Sequence, residues 1–426
     1  MGMSCCFWGE RLQDCRSHKV RNQNRKNKKK CDILDHFPKI HRSVNSSSQE
    51  EDSGKDDSKI QWEFSDDSFE GQDSVSELGG MYNRKELEST VGTEGERKFS
   101  EEGKEEYGNK GIINPRFDCF INSTLQVLLS IPGFVEYFYG NNVNIIGDDL
   151  KLNTYFDEVE GNDKRYSSRL RQLMIKYFSH QPGPVNNERF RALFDGEYPS
   201  HEQNDSLQFL MSLFELLQYE NNPKCQTFCS SGHNDDNEAW EKYKAENTSI
   251  IDKLFVGMYK TTFKCKDCNE GVEVYEEFKS YPLECYSKKQ KKSFRSFIKE
   301  PKVDHSQMMC KACNGIKDCK IVKKIIRHPK YLIFAFQRLD TSTNKKITAM
   351  MDLPKKFTVQ SSDNNPITFS LHSCILHFGS LNSGHYTAIC KRGSSWYHFN
   401  DCQVTKIPNK EVKTSNAYIL FYKQEN

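Results

Sequence analysis

Residues 113–133, INPRFDCFINSTLQVLLSIPG, place one cysteine, Cys119, at the start of an apolar run with helical spacing. A Pro-Gly pair ends the run, and its apolar members are Ile121, Leu125, Leu128 and Leu129. Asp118 stands where it would cap such a helix, and a helix N-terminus lowers the pKa of a thiol, whereas the aspartate charge raises it. On this stretch alone, a buried structural cysteine is the better interpretation of Cys119.

The last quarter of the chain contains the partners that a cysteine nucleophile needs. Residues 376–407, LHFGSLNSGHYTAICKRGSSWYHFNDCQVTKI, contain two strand-like segments joined by a turn at KRGSS. Pairing of these strands would bring Asn400 and Asp401 close to His385. A thiol hydrolase needs an imidazole to move the proton and a polar group to orient that imidazole. The alternative is a β-hairpin with an incidental histidine, but two separate parts of one site favour an enzyme.

The composition excludes several classes of protein. The net charge of +2 argues against a nucleic-acid binder, and no run approaches the roughly 20 apolar residues of a membrane span. The N-terminus lacks the apolar core of a secretory signal. We therefore expect a cytoplasmic or nuclear protein, in which the 16 cysteines are thiols, metal ligands or a nucleophile rather than disulfides.

The chain divides into a polar tail and a globular part. Residues 1–105 alternate basic and acidic, serine-rich stretches without apolar periodicity, which predicts a disordered tail. Residues 106–426 begin with helix-like patterns such as NDSLQFLMSLFELLQ and end with strand-like ones such as YLIFAFQRL and AYILFYK, which predicts an α+β fold. The N-terminal MGMSCC hints at acylation and membrane contact, but a solvated basic tail is the interpretation we favour.

Two C-x-x-C pairs predict a metal site. CKDC and CKAC together supply four thiols, which is the ligand set of a closed tetrahedral Zn²⁺ site with a structural role. The alternative is four unrelated surface cysteines, which the paired spacing disfavours. The proposed ligands are Cys265, Cys268, Cys310 and Cys313.

These motifs, in this order, resemble the catalytic domain of the ubiquitin-specific proteases, a papain-like cysteine peptidase family. The segment GIINPRFDCFINSTLQ is similar to the cysteine box of the family, and QNDSLQFL is similar to its Q-x-D-A-x-E-F-L segment. The stretches LFVGMYKTTFKCKDCNEG and KYLIFAFQRL, and GHYTA, WYHFND and YILFY near the C-terminus, resemble its fingers, central strand and histidine box.

The resemblance implies a fold and a set of catalytic roles. The fold would have a helical thumb, a β palm and zinc-bearing β fingers at roughly 255–325. Cys119 would be the nucleophile, His385 the general base and then acid, and Asn400 the residue that orients the imidazole. Asp401 would be a second polar residue beside it, and Asn114 a donor to the oxyanion.

The resemblance also implies a substrate, ubiquitin, and residues that contact it. Asp205 and Gln208 would face the basic tail of ubiquitin, and Gly384 would line a channel narrow enough to select glycine. Two departures from the family pattern concern this site: Arg-Phe-Asp at 116–118 replaces Gly-Asn-Thr, and Gln208 replaces a glutamate.

Four functions remain open at this point. The first is a thiol-dependent deubiquitinase that hydrolyses isopeptide bonds at the C-terminal glycine of ubiquitin, and it acts on ubiquitinated proteins. The second is a protease for a ubiquitin-like modifier, which the altered 116–118 segment and Gln208 motivate. The third is a ubiquitin-binding module without turnover, although no member of the triad is missing. The fourth, a zinc-ribbon nucleic-acid binder, would need basic and aromatic clusters that the globular part lacks.

Overall fold

The computed structural model describes residues 109–139, 165–222, 228–233, 235–284, 302–340, 343, 345–347, 353–362, 364–380, 383–412 and 416–425. The described residues form two compact units. The smaller unit comprises residues 264–271 and 305–320, and the larger unit contains the other described residues. The predicted disordered tail, residues 1–105, and the predicted boundary at residue 106 lie outside the described residues.

The first part of the larger unit is helical. Its described α-helices are α1 (Cys119–Leu128), α2 (Pro132–Tyr139), α3 (Tyr166–Tyr177), α4 (Glu188–Arg191), α5 (Ser206–Asn221), α6 (Asp236–Glu246) and α7 (Ile250–Phe255). Helix α1 forms where the apolar periodicity after Cys119 predicts it. No single described helix is long and apolar enough to cross a membrane, and α1 and α2 pass that test only as a pair bent by 93°.

The second part of the chain consists of strands. They are β1 (Cys229–Ser231), β2 (Gly257–Cys265), β3 (Gly271–Phe278), β4 (Tyr281–Glu284), β5 (Lys302–Cys310), β6 (Gly315–Arg327), β7 (Tyr331–Gln337), β8 (Leu339–Asp340), β9 (Lys345–Lys346), β10 (Lys356–Gln360), β11 (Pro366–Gly379), β12 (Gly384–Arg392), β13 (Ser395–Asn400), β14 (Gln403–Ile407) and β15 (Ala417–Gln424). The predicted α+β class is confirmed.

The strands form two main sheets. One has the strand order β1-β3-β2-β6-β5 and occupies the part of the chain predicted to form the fingers. The other has the order β14-β13-β12-β11-β15-β7-β4, with β10 paired to β11. Strands β12 and β13 are antiparallel neighbours with Arg392 opposite Ser395, so the hairpin predicted at KRGSS is confirmed.

Helix α1 is the central element of the core. All ten of its residues are buried, and the helix packs against β12 and β11 of the larger sheet. Polar residues inside a buried helix must find hydrogen-bond partners. Accordingly, Thr124 donates to the Phe120 carbonyl, and Gln126 donates to the Lys110 carbonyl and accepts from the Tyr177 hydroxyl. This packing brings the first residue of α1 beside the start of β12.

Candidate active site and metal centre

Cys119 is the first residue of α1 and is only 4% exposed. Burial raises the pKa of its thiol to about 11, the Tyr386 backbone N–H lowers it, and the Asp401 carboxylate raises it. Hydrogen bonds from the N–H groups of Phe120 and of Cys119 itself also lower this pKa. The thiol is therefore protonated at neutral pH, and it must transfer its proton to a base before it can attack a carbonyl.

His385, the predicted base, lies at the start of β12. Its Nε2 atom lies 2.6 Å from Oδ1 of Asn400 at the end of β13. Because an amide oxygen only accepts, Nε2 donates, and the lone pair of the neutral imidazole lies on Nδ1. No hydrogen bond joins His385 to the Cys119 thiol in the described part of the chain, and such catalytic contacts often tighten only when substrate binds.

Asp401 connects the histidine box to the cysteine box. Its two carboxylate oxygens accept hydrogen bonds from the side-chain amides of Asn114, at 2.9 Å, and Asn122, at 2.8 Å. Asn187 in turn donates to Oδ1 of Asn122 at 2.8 Å. The Asp401 backbone has a φ of 49°, and its carbonyl accepts from the Ile112 N–H. The carboxylate thus fixes the segment that precedes Cys119.

Two members of this network were missed in the sequence. Asn122 matches the cysteine box but suggested no role of its own, and nothing near Asn187 marked it as part of the site. The only available signal would have been an asparagine in a polar segment, and such asparagines are common in proteins. Gly111 also belongs to this junction, since a Cβ there would lie 2.3 Å from the backbone oxygen of Cys402.

Asn114, the predicted oxyanion donor, is held by both ends of its amide. Its oxygen accepts from the N–H groups of Arg116 and Asp118, and its nitrogen donates to Asp401. An amide nitrogen carries two hydrogens, so one remains for a substrate oxygen. The predicted role is compatible with this geometry and stays a prediction.

The prediction that Asp118 caps helix α1 is wrong. Asp118 occupies the N-cap position, but its side chain accepts no hydrogen bond from the helix. Its carboxylate oxygen Oδ1 instead accepts from Nε of Arg191 at 2.5 Å. A buried carboxylate is stabilised more by a charged donor than by a backbone amide, and the fold places Arg191 within reach.

The predicted substrate-binding acid, Asp205, already has two partners. Its Oδ1 caps helix α5 by accepting from the backbone N–H of Gln208, and its Oδ2 accepts from the Tyr418 hydroxyl at 2.5 Å. Burial raises the pKa of Asp205. The Gln208 side chain is exposed. Contacts of Asp205 and Gln208 with a substrate remain predictions.

Gly384 has a structural reason to be glycine. A Cβ at this position would lie 2.1 Å from Nε2 of His377 and 2.6 Å from the carbonyl oxygen of Phe378. Its N–H donates to the side-chain oxygen of Gln203 at 2.7 Å, which ties the start of β12 to the segment before α5. The predicted role in lining a substrate channel remains a prediction beside this packing requirement.

The four cysteines of the two C-x-x-C pairs lie together in the smaller unit. Their sulfur atoms are all within 4.8 Å of one another, with Cys265 4.0 Å from Cys313 and Cys268 3.5 Å from Cys310. Four sulfurs bound tetrahedrally at about 2.3 Å would be separated by about 3.8 Å, so this group can hold a metal ion. Each pair is followed by an asparagine with positive φ, Asn269 at 60° and Asn314 at 52°.

A second cysteine- and histidine-containing segment, CQTFCSSGH, forms no metal site among the described residues. Cys225 lies outside the described residues, and His233 hydrogen-bonds to the Ser230 hydroxyl at 2.7 Å. Cys229 belongs to strand β1. Within the described part of the chain, the cluster of Cys265, Cys268, Cys310 and Cys313 is the only such group found.

Comparison with known proteins identifies the family. A family model described as ubiquitin carboxyl-terminal hydrolase matches residues 110–422. The chain belongs to this family. Similar proteins include ubiquitin carboxyl-terminal hydrolase Usp2 of Drosophila melanogaster, which is 27% identical over 336 residues. That alignment covers 74% of this chain and 34% of the relative. Ubiquitin carboxyl-terminal hydrolase 2 of Homo sapiens is 26% identical over 358 residues, with 75% of this chain and 56% of the relative covered.

The chain spans about half the length of the curated ubiquitin carboxyl-terminal hydrolases it matches. Among solved structures, the fold is similar to that of the SAGA Ubp8/Sgf11/Sus1/Sgf73 DUB module bound to ubiquitin aldehyde. That match has a TM-score of 0.59 and 20% identity, and it covers 76% of this chain and 71% of the other. The predicted resemblance to ubiquitin-specific proteases and the predicted fold are confirmed.

The Cys119 thiol should be almost entirely protonated in the free protein at neutral pH, so its reactivity should rise with pH. Below its pKa of about 11, each unit of pH raises the thiolate fraction tenfold. We expect the alkylation rate of Cys119 by iodoacetamide, followed by mass spectrometry of its peptide, to rise about tenfold per unit between pH 7 and 9. A cysteine-containing model peptide, whose rate levels off near pH 8.5, is the reference. A plateau below pH 8 would contradict the prediction.

Loss of a metal ion from the four-cysteine cluster should lower the stability of the folded protein. We expect about one metal ion per chain in freshly purified protein, and about none after Cys310→Ser and Cys313→Ser are combined. The melting temperature of the double variant should fall by at least about 5 °C, because metal binding contributes to folding. Cys229→Ser is the matched control and should retain the ion. Elemental analysis measures the metal content, and calorimetry measures the melting temperature. A wild type free of metal would contradict the prediction.

Proposed function

We propose that the chain is a thiol-dependent deubiquitinase that hydrolyses isopeptide bonds at the C-terminal glycine of ubiquitin. The observation that carries this proposal is the position of Cys119 at the start of α1, which packs against β12, where His385 hydrogen-bonds to Asn400 of β13. Family membership supports it, and so do the structurally similar Ubp8 modules, which were solved with monoubiquitin and with ubiquitin aldehyde.

In the proposed reaction, Nδ1 of His385 takes the proton of the Cys119 thiol, and the thiolate attacks the carbonyl carbon of the terminal glycine. The negative charge that develops on the carbonyl oxygen is stabilised by the Cys119 N–H and the free amide hydrogen of Asn114. Collapse breaks the carbon–nitrogen bond, and His385 returns its proton to the departing lysine amine. A thioester between Cys119 and ubiquitin remains.

Hydrolysis of the thioester completes the cycle. His385 deprotonates a water molecule, which attacks the thioester carbon through a second oxyanion. Collapse breaks the carbon–sulfur bond and releases ubiquitin with a free carboxylate, and the Cys119 sulfur regains a proton from His385. Asn400 keeps Nε2 of the imidazole engaged in both steps, so that Nδ1 is the atom that moves the proton.

We further propose that the four-cysteine cluster binds Zn²⁺ in a structural role. Four thiolates fill a tetrahedral site and leave no position for a substrate or water, so the ion would stabilise the smaller unit without taking part in hydrolysis. The spacing of the four sulfurs supports this ligand set. We also propose a cytoplasmic or nuclear location, since the described cysteines are free thiols, as reducing compartments favour.

The test is covalent labelling with ubiquitin that carries an electrophile at its C-terminus. We expect wild-type protein to form an adduct at Cys119, located by mass spectrometry, and Cys119→Ala to form none. Cys402→Ala, which removes an exposed thiol, should label as the wild type does. Folded wild-type protein that fails to label would overturn the proposal that ubiquitin is the substrate.

A protease for a ubiquitin-like modifier is the second candidate. The exposed Gln208 side chain favours it, because the family pattern has a glutamate there that could attract a basic tail. Labelling with matched electrophiles built on ubiquitin and on ubiquitin-like modifiers separates the two. Faster adduct formation with a ubiquitin-like modifier would support the second candidate over the first.

A further inference from the structure

A buried ion pair involves Asp118, the residue that precedes the proposed nucleophile. Asp118 precedes Cys119 in the chain, and its side chain is 3% exposed, while that of its partner Arg191 is 5% exposed. Charged residues are rarely buried to this extent unless they are paired. The family pattern places threonine at the position of Asp118, so this chain has introduced a charge next to its thiol.

Arg191 is itself held in one orientation. While Nε donates to Asp118 at 2.5 Å, Nη2 donates to the carbonyl oxygen of Tyr198 at 2.5 Å and Nη1 to the Asp195 carboxylate at 2.9 Å. Asp195 is about half exposed, so the buried part of the guanidinium faces Asp118 and Tyr198. A guanidinium fixed at three nitrogens cannot turn away from the Asp118 carboxylate without losing other hydrogen bonds.

Because its carboxylate pairs with Arg191, Asp118 does not cap the N-terminus of α1 with its side chain. An aspartate at the N-cap normally accepts from the second or third amide of its helix, but Asp118 does not. The first amides of α1, those of Cys119 and Phe120, instead lower the pKa of the Cys119 thiol. The backbone of Asp118 is held separately, because its N–H donates to Oδ1 of Asn114 at 3.0 Å.

We infer that Arg191 is a positioning residue for the nucleophile, which neutralises Asp118 and holds its carboxylate away from the first amides of α1. Without the guanidinium, a buried carboxylate would stand one residue from the thiol, where it would disfavour the thiolate and compete for the same amides. Among the described residues, the Asp401 carboxylate and the Tyr386 hydroxyl also interact electrostatically with this thiol. The inference rests on the proposed function only for its effect on hydrolysis.

The experiment compares four variants of the full chain. Arg191→Met removes the charge at similar length, and Asp118→Thr with Arg191→Met also removes the stranded carboxylate and restores the family residue. Asp118→Thr alone reports the effect of losing the aspartate. Arg189→Met is the matched control, since Arg189 is an exposed arginine of the same short helix α4. The readouts are kcat/KM with a ubiquitin substrate, the melting temperature, and the alkylation rate of Cys119 by iodoacetamide at pH 8.

For Arg191→Met we expect the alkylation rate of Cys119 to fall about tenfold, the result of raising a thiol pKa by about one unit, and kcat/KM to fall at least as much. The double variant should recover both to within about threefold of the wild type. Arg189→Met should change neither. The decisive result is the alkylation rate of Arg191→Met measured well below its melting temperature, because removal of the stranded carboxylate in the double variant would also restore stability lost for purely structural reasons.

Two outcomes would overturn the inference. One is a lower melting temperature of Arg191→Met with an unchanged alkylation rate, which would make the pair purely structural. The other is a double variant no more reactive than Arg191→Met. If the wild type hydrolyses no ubiquitin substrate, the proposed function fails, yet the alkylation rates still test the inference, because iodoacetamide reacts with the thiol without ubiquitin.

Discussion

Replacing His385 with glutamine is expected to lower kcat for a ubiquitin substrate by about a thousandfold. The thiol is buried and has a pKa of about 11, so at neutral pH almost none of it is ionised without a base. Glutamine retains a polar side chain of similar size near Asn400 but cannot accept and return a proton. KM should change little, because the imidazole acts on the reacting atoms more than on the bound substrate.

His398→Gln is the matched control for this prediction. His398 lies on β13, one strand away from His385, and its Nε2 pairs with the Thr387 hydroxyl at 3.0 Å. It therefore tests whether loss of any hydrogen-bonded histidine from this sheet lowers activity. We expect its kcat to remain within about threefold of the wild type. Comparable losses in both variants would show that His385 is not the base.

Replacing Asp401 with asparagine is expected to lower kcat for a ubiquitin substrate by about a hundredfold. One of the two oxygens that accept from Asn114 and Asn122 becomes an NH₂ group, which faces another donor. A buried hydrogen bond is lost and the segment before the nucleophile is no longer fixed, so Asn114 would lose its orientation toward the oxyanion. Asparagine tolerates the positive φ of this position, which separates the effect from backbone strain.

The same variant should make Cys119 more reactive toward a small reagent. The Asp401 carboxylate raises the pKa of the thiol, so its removal should speed alkylation at pH 8 by roughly two- to tenfold. Steady-state hydrolysis and alkylation would therefore move in opposite directions, which general unfolding cannot produce. The neighbouring Cys402→Ala variant should leave kcat unchanged. If alkylation and hydrolysis fall together in Asp401→Asn, the network serves only stability.

Much of the fold could be predicted from local patterns. The apolar spacing after Cys119 predicts α1, and the alternating aromatic and β-branched segments predict β7, β12, β13 and β15. Such patterns succeed because each depends on neighbours within one helical turn or one pair of strands. The complete burial of α1 could not be predicted this way, since its polar residues Thr124 and Gln126 suggest an exposed face. Their partners come from Phe120, Lys110 and Tyr177, two of them distant in the chain.

The candidate site was predictable in its residue types and less so in its connections. Boxes that resemble those of a known family pointed to Cys119, His385 and Asn400, and the structure places His385 in a hydrogen bond with Asn400, while their catalytic roles stay predictions. The capping role assigned to Asp118 was wrong, and Asn187 was missed. Both errors have the same origin: a buried polar group bonds to whichever partner the tertiary structure brings near, and the nearest residue in sequence is often not that partner.

Residue types and local spacing were enough to predict the residues capable of the chemistry, the paired cysteines of the four-cysteine cluster, and the hairpin that joins His385 to Asn400. These depend on residue type and on separations of a few residues to about 15. The hydrogen bonds of Asp401 to Asn122, 279 residues away, and of Asp118 to Arg191, 73 residues away, depend instead on the tertiary structure. Hydrogen bonds form within about 3 Å, so they depend on how α1 seats against the sheet and on strand register, which no local pattern specifies.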